Sequence, residues 1–111
     1  MPIEIEVYED DQGAKPFDRW FDRLPVAHAA KVTLAIGRMR AGHTSGLKSV
    51  GAGVSEWRID WGPGLRIYLG FDGERLILLL GGGIKAKQQA DIVQAIERWR
   101  DYRLRKRTGE S

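Results

Sequence analysis

The stretch Leu76-Ile77-Leu78-Leu79-Leu80 constrains this chain more than any other. It has the length of a strand but lacks the apolar–polar alternation of a strand with one wet face. Both of its faces therefore need cover, which places it centrally in a sheet. Gly81-Gly82-Gly83 follows at once and reads as a turn that ends the strand. Beyond that turn, Lys85 and Lys87 stand at the start of a helix running from about Gln88 to Lys106. Its apolar stripe is Ile92, Val93, Ile96 and Trp99.

The other elements follow from their periods. Ile3-Glu4-Ile5-Glu6-Val7-Tyr8 alternates as a half-buried strand does. Pro16 suits a first helical turn, and Phe17, Trp20, Phe21 and Leu24 follow at i, i+3, i+4, i+7. Pro25 ends that helix. A second begins near Ala27, carries Val32, Ile36 and Met39, and stops at Gly42, so the two form a helical hairpin. Residues 42–55 are rich in Gly and Ser and read as a loop. Glu56 to Trp61 alternates, with Trp57 and Ile59 on one face and Glu56, Arg58 and Asp60 on the other. Gly62-Pro63-Gly64 connects it to a strand from Leu65 to Phe71, and Asp72-Gly73 is a hairpin signal.

The expected order is β-α-α-β-β-β-α, a single α+β domain over the 111 residues. One face of the sheet takes the helices. The other is expected to be partly open and to carry Arg58, Arg66 and Tyr68.

Composition excludes several chemistries. There is no cysteine, hence no disulfide framework and no thiolate metal site. No apolar run reaches the ~20 residues of a bilayer span, and the N-terminus has no signal-peptide pattern, so a cytoplasmic location is expected, with no membrane partner. Gly81 to Ala86 is not a Walker loop, and Gly51-Ala52-Gly53 reads as a flexible loop. His28 and His43 lack ligand spacing, so neither a metal nor a cofactor is expected. The net charge of +3 is unevenly spread: residues 1–24 hold seven acids and three bases, the remainder eight acids and fifteen bases. Such a surface favours nucleic acid or an acidic protein.

What remains is a set of cations and tyrosines. Arg66 and Tyr68 share one face of a strand, Arg58 lies on the neighbouring strand, and Lys85 and Lys87 leave the next. These can converge on one surface. Cross-strand pairing with Glu56 or Asp60 is the structural alternative for both arginines, packing at an edge for Tyr68, and plain solvation for the lysines.

Phe17-Asp18-Arg19-Trp20-Phe21-Asp22-Arg23-Leu24, the segment GVSEWRIDWGPGLRIY over residues 53–68, and Leu78 to Gln88 together resemble the RelE/ParE superfamily of bacterial toxins. The likeness is strongest to the HigB-like addiction module killer subfamily, often phage-derived, and spans nearly the whole chain. The resemblance implies a RelE-like α+β fold. It also implies a toxin of a type II toxin–antitoxin system: a ribosome-dependent, metal-independent mRNA endoribonuclease that arrests translation. A DNA gyrase-inhibiting ParE-like toxin, or an inactive relative that only binds antitoxin and DNA, are the alternatives.

The implied partners are a helix-turn-helix, HigA-like antitoxin, mRNA on the ribosome, and operator DNA reached through the antitoxin complex. By the same resemblance, Arg66 would stabilise the phosphate and Lys85 would act as base or phosphate ligand. Tyr68 or Tyr102 would stack on a base or donate a proton. Lys48, Arg58, Lys87 and Arg103 would contact RNA. Ile84, Ala86 and Leu65 depart from the subfamily's usual Asp, Ser and Tyr.

Overall fold

The computed structural model describes residues 2–109. The chain forms β1 (Glu4–Val7), α1 (Pro16–Asp22), α2 (Val26–Arg40), β2 (Leu47–Gly51), β3 (Val54–Ile59), β4 (Leu65–Asp72), β5 (Leu76–Ile84), a 3-10 turn at Lys85–Lys87, and α3 (Gln88–Arg107). It is an α+β domain on a five-stranded mixed sheet in the order β1-β5-β4-β3-β2. β1 runs parallel to β5, and the remaining neighbours are antiparallel.

The sheet has one strand more than the expected order. β2 lies where a loop was expected, between residues 42 and 55. Its sequence, Leu47-Lys48-Ser49-Val50-Gly51, has no clean alternation because it is an edge strand needing only one neighbour, and polar residues suit such an edge. It joins β3 through a two-residue turn at Ala52-Gly53, both at positive φ (54° and 84°), so this segment is a tight hairpin and not a flexible loop.

The second correction concerns the glycines. Gly81, Gly82 and Gly83 do not form a turn; they continue β5 and pair with Tyr68, Ile67 and Arg66. A bulge sets their register: Leu69 faces Leu79 while Tyr68 faces Gly81, leaving Leu80 unpaired in the ladder. A β-carbon on Gly81 would lie 2.7 Å from the Arg98 guanidinium, one on Gly82 would overlap the Trp20 ring, and one on Gly83 would overlap the Asp91 carboxylate. The three residues are small because a side chain from α1 or α3 lies on each.

Both faces of the sheet are packed. α1 and α2 place Phe17, Val32, Ala35 and Met39 against Leu65, Ile67, Leu69, Ile77 and Leu79. α3 places Ala95 and Trp99 against Val54, Tyr68, Leu78 and Leu80, with Tyr8 beside them. This is why residues 76–80 show no alternation: Ile77 and Leu79 fill one core, Leu78 and Leu80 the other. Each such side chain contributes roughly 2 kcal/mol by leaving water. α1, at seven residues, is too short to persist alone and is held by Phe17 and Trp20.

The expectation of a partly open second face therefore needs correction. α3 lies along β5 and β4 and reaches β3, where Val54 and Glu56 are fully buried, so exposure on that face is left to Arg58 and to the β2 edge. Tyr68, expected there in the open, is 1% exposed.

Candidate nucleic-acid interface

Two cross-strand rows on the α3 face carry half of the candidate residues. Lys48, Glu56, Tyr68 and Gly81 align across β2, β3, β4 and β5. Arg58, Arg66 and Gly83 form the other row. Directly opposed residues share a face, so Lys48, Arg58 and Arg66 all point to the same side as Glu56 and Tyr68.

Glu56 organises this cluster. It is wholly buried, and its Oε1 accepts from Arg58 Nε at 2.6 Å and from Arg66 Nη1 at 3.2 Å. Its Oε2 accepts from the Gln88 side-chain amide at 2.8 Å. Burial alone would push the carboxyl up. The donors from Arg58 and Gln88 and the charge of Arg66 outweigh burial and hold it below the usual carboxylate range. The ionised carboxylate is what allows two guanidiniums to stand opposite each other, an arrangement otherwise repulsive.

The predicted residues separate by position. Arg66 is 4% exposed, and its Nε has no hydrogen-bond partner among the described residues. It pairs with Glu56, the structural alternative read from the sequence. Arg58 keeps 42% of its side chain in solvent while holding the same carboxylate. Lys48 is exposed on β2. Lys85 and Lys87 are exposed in the 3-10 turn, and the Lys85 amide donates to the Gly64 carbonyl at 2.9 Å, two residues past the Arg66–Gly83 pair. These cations border one end of the sheet.

Tyr102 and Arg103 are not part of that group. Fifteen residues of helix separate Lys87 from Tyr102, roughly 22 Å. There the Tyr102 ring stacks on Trp99 at 5.6 Å, and its hydroxyl donates to Asp72 Oδ2 at 2.5 Å. Burial first, and the Asp72 hydrogen bond second, push that hydroxyl up to about 12. The Tyr68 hydroxyl is likewise pushed up to about 12, by burial and then by the charges of Glu56 and Asp91. Both phenols stay protonated at neutral pH, able to donate a proton but not to act as bases.

The sequence names Glu56 only as a pairing partner and gives Gln88 no part in the site, only a place at the start of a helix. The signal for Glu56 was present: an acid facing the same way as two arginines, one of them across the ladder. Among the described residues no group of three or more His, Asp or Glu is gathered as a metal would require. No described helix is long and apolar enough to cross a membrane.

The arrangement defines a small α+β protein with a cationic edge built on a buried carboxylate. Over 80 residues, 71% of this chain, it is 42% identical to an uncharacterized protein of Haemophilus influenzae, and the match covers 81% of that protein. The chain belongs to that protein's family. No family model matches it.

Proposed function

We propose that this protein is the toxin of a toxin–antitoxin pair with a RelE-like fold, acting on mRNA at the ribosome and held in check by a helix-turn-helix antitoxin that also carries the pair to operator DNA. One observation carries the reading: Arg58 and Arg66 stand opposite each other on Glu56, two guanidiniums against one carboxylate, with Lys48 on the adjoining row. The surplus positive charge faces solvent through Arg58 and suits a phosphate backbone. In this reading Arg58, Lys48, Lys85 and Lys87 bind RNA phosphates, and Arg66 positions Arg58 through Glu56. Lys85, exposed just past the end of β5, is the cation this reading assigns to the reacting sugar–phosphate. In-line cleavage needs the 2′-OH deprotonated, the negative charge on the phosphorane oxygens stabilised and the leaving 5′-oxygen protonated, and cations supply the second requirement.

A second reading is a binding protein without cleavage. Burial of Arg66 and Tyr68 and the distance of Tyr102 favour it. Controlled expression in a bacterial host, with amino-acid and thymidine uptake followed together, separates the readings. Nuclease action predicts that amino-acid uptake falls first and that Lys85→Ala and Arg58→Ala restore it. An early fall in thymidine uptake points to gyrase, and no fall in either points to binding alone.

A further inference from the structure

A cleft of about 190 Å3 opens between α1 and α3 over the end of β5, with neither Lys48 nor Arg58 in its lining. β1 pairs with β5 only as far as Leu79, so the strand from Leu80 onward has a free edge. Arg98 Nη1 donates to the Leu80 carbonyl at 2.9 Å, and its Nη2 donates to Gln94 Oε1 at 2.9 Å. Gly81 and Gly82 form the floor, and Arg19 and Arg23 enter from α1 and its C-terminal end. Neither of these two forms an ion pair among the described residues. Tyr68 also lines the cleft. It is 1% exposed, and its hydroxyl has no hydrogen-bond partner among the described residues.

A buried hydroxyl left unpartnered loses its hydration without replacement, so this donor calls for an acceptor. The cleft lining combines the guanidiniums of Arg19, Arg23 and Arg98 with the Asp91 carboxylate and the Gln94 amide, and the charge of Glu56 also reaches the hydroxyl. Three guanidiniums face one carboxylate, Asp91. Guanidiniums match the oxygens of a phosphate two at a time, and the surplus of two positive charges suits a doubly charged group. The small volume takes a terminal group better than a chain passing through. Trp20 offers a flat apolar wall to whatever carries that group.

We propose that this cleft binds a phosphate monoester, held by Arg19, Arg23 and Arg98 with the Tyr68 hydroxyl donating to one of its oxygens. Two sources share that chemistry: a mononucleotide and the 5′-phosphorylated end of an RNA. The proposal stands whether or not the protein cuts RNA.

The test is a titration of the full chain followed by amide and indole NMR. The probes are adenosine 5′-monophosphate, adenosine, and a short RNA with and without its 5′-phosphate. Saturable shifts at Gly81, Gly82 and the Trp20 indole, seen only with phosphorylated probes, are expected. Response to the RNA alone makes an RNA end the ligand, and response to both probes makes the phosphate itself the determinant. Tyr68→Phe is expected to weaken binding about tenfold, the value of one hydrogen bond to a charged group. Arg23→Gln, at an exposed position that leaves the core intact, is expected to weaken it severalfold, and Asp91→Asn to tighten it. Absence of saturable shifts, shifts confined to residues near Arg58 or Arg103, or unchanged affinity in both Tyr68→Phe and Arg23→Gln would overturn the proposal.

Discussion

Arg66 reaches across from β4 to β3 and donates to Glu56 at 3.2 Å, with 5% of its side chain and none of Glu56's exposed. Breaking a buried pair from one side leaves an uncompensated charge and typically costs 3–5 kcal/mol. Glu56→Ala also strands Gln88 and frees Arg58. We expect it to lower unfolding stability by about 4 kcal/mol in urea denaturation, with Glu56→Gln losing less because it keeps acceptors in place. Replacing both partners, Glu56→Leu with Arg66→Met, is expected to recover much of the loss. If the double variant is as unstable as the sum of the singles, the pair is not what the site depends on.

The same carboxylate sets the response to acid. Glu56 titrates below its ordinary value of 4.5 in the folded state, as Asp72 and Asp101 do below 3.8. Their stabilisation is therefore fully present above those ordinary values and is lost as pH falls through the folded ones. Asp91 has the opposite sign, because burial raises it against the pull of Lys87 and Arg98. Its charged form weakens the fold at neutral pH. Asp91→Asn is thus expected to raise the melting temperature at pH 7, with the gain vanishing as pH drops below about 3.8. A gain that persists at low pH would show that packing, not charge, is responsible.

The glycines of β5 and β4 give a ranked prediction. At Gly82 and Gly70 an added methyl meets a rigid indole, Trp20 or Trp99, the latter at 2.5 Å. At Gly81 and Gly83 it meets the ends of Arg98 and Asp91, which can move. Gly82→Ala and Gly70→Ala are expected to cost about 3 kcal/mol, and Gly81→Ala and Gly83→Ala nearer 1 kcal/mol, the range for overfilled sites. Equal costs at all four positions in chemical denaturation would point to strand propensity instead of overlap.

Those glycines mark where the sequence stopped being legible. The helices, β1 and the strands from Glu56 to Leu80 were legible, the alternating ones because each buries one face and Leu76–Leu80 because it buries two. Three adjacent glycines carry no periodicity, and their usual meaning is a turn. Their meaning here lies in Trp20, Asp91 and Arg98, residues distant in the chain. For the same reason Tyr68 was read as open: its cover, α3, arrives some twenty residues later. The rows of cations were legible because alternation alone puts Arg58, Arg66 and Tyr68 on one face. The pairing of both arginines with Glu56 was legible as an alternative; that Gln88 would join them was not, since Gln88 comes from α3.

The hairpin between β2 and β3 holds the last prediction. Ala52 has φ of +54°, the lone non-glycine residue at positive φ among those described. A β-carbon in this region is pressed toward the carbonyl and costs roughly 1–2 kcal/mol. The turn needs positive φ at both of its residues, and Asn or Gly at the first supplies it without that strain. Ala52→Gly and Ala52→Asn are each expected to raise stability by about 1 kcal/mol, Asn gaining more because Gly also loosens the unfolded chain. Unfolding in urea with an unchanged slope is the measurement. Because Ala52 also edges the groove beneath Trp99 and Arg103, an RNA-binding assay run alongside separates a relaxed turn from an altered surface. Higher stability with unchanged RNA affinity identifies the turn as the source, whereas no gain in either variant would mean that the hairpin relieves the strain at Ala52 by some other route.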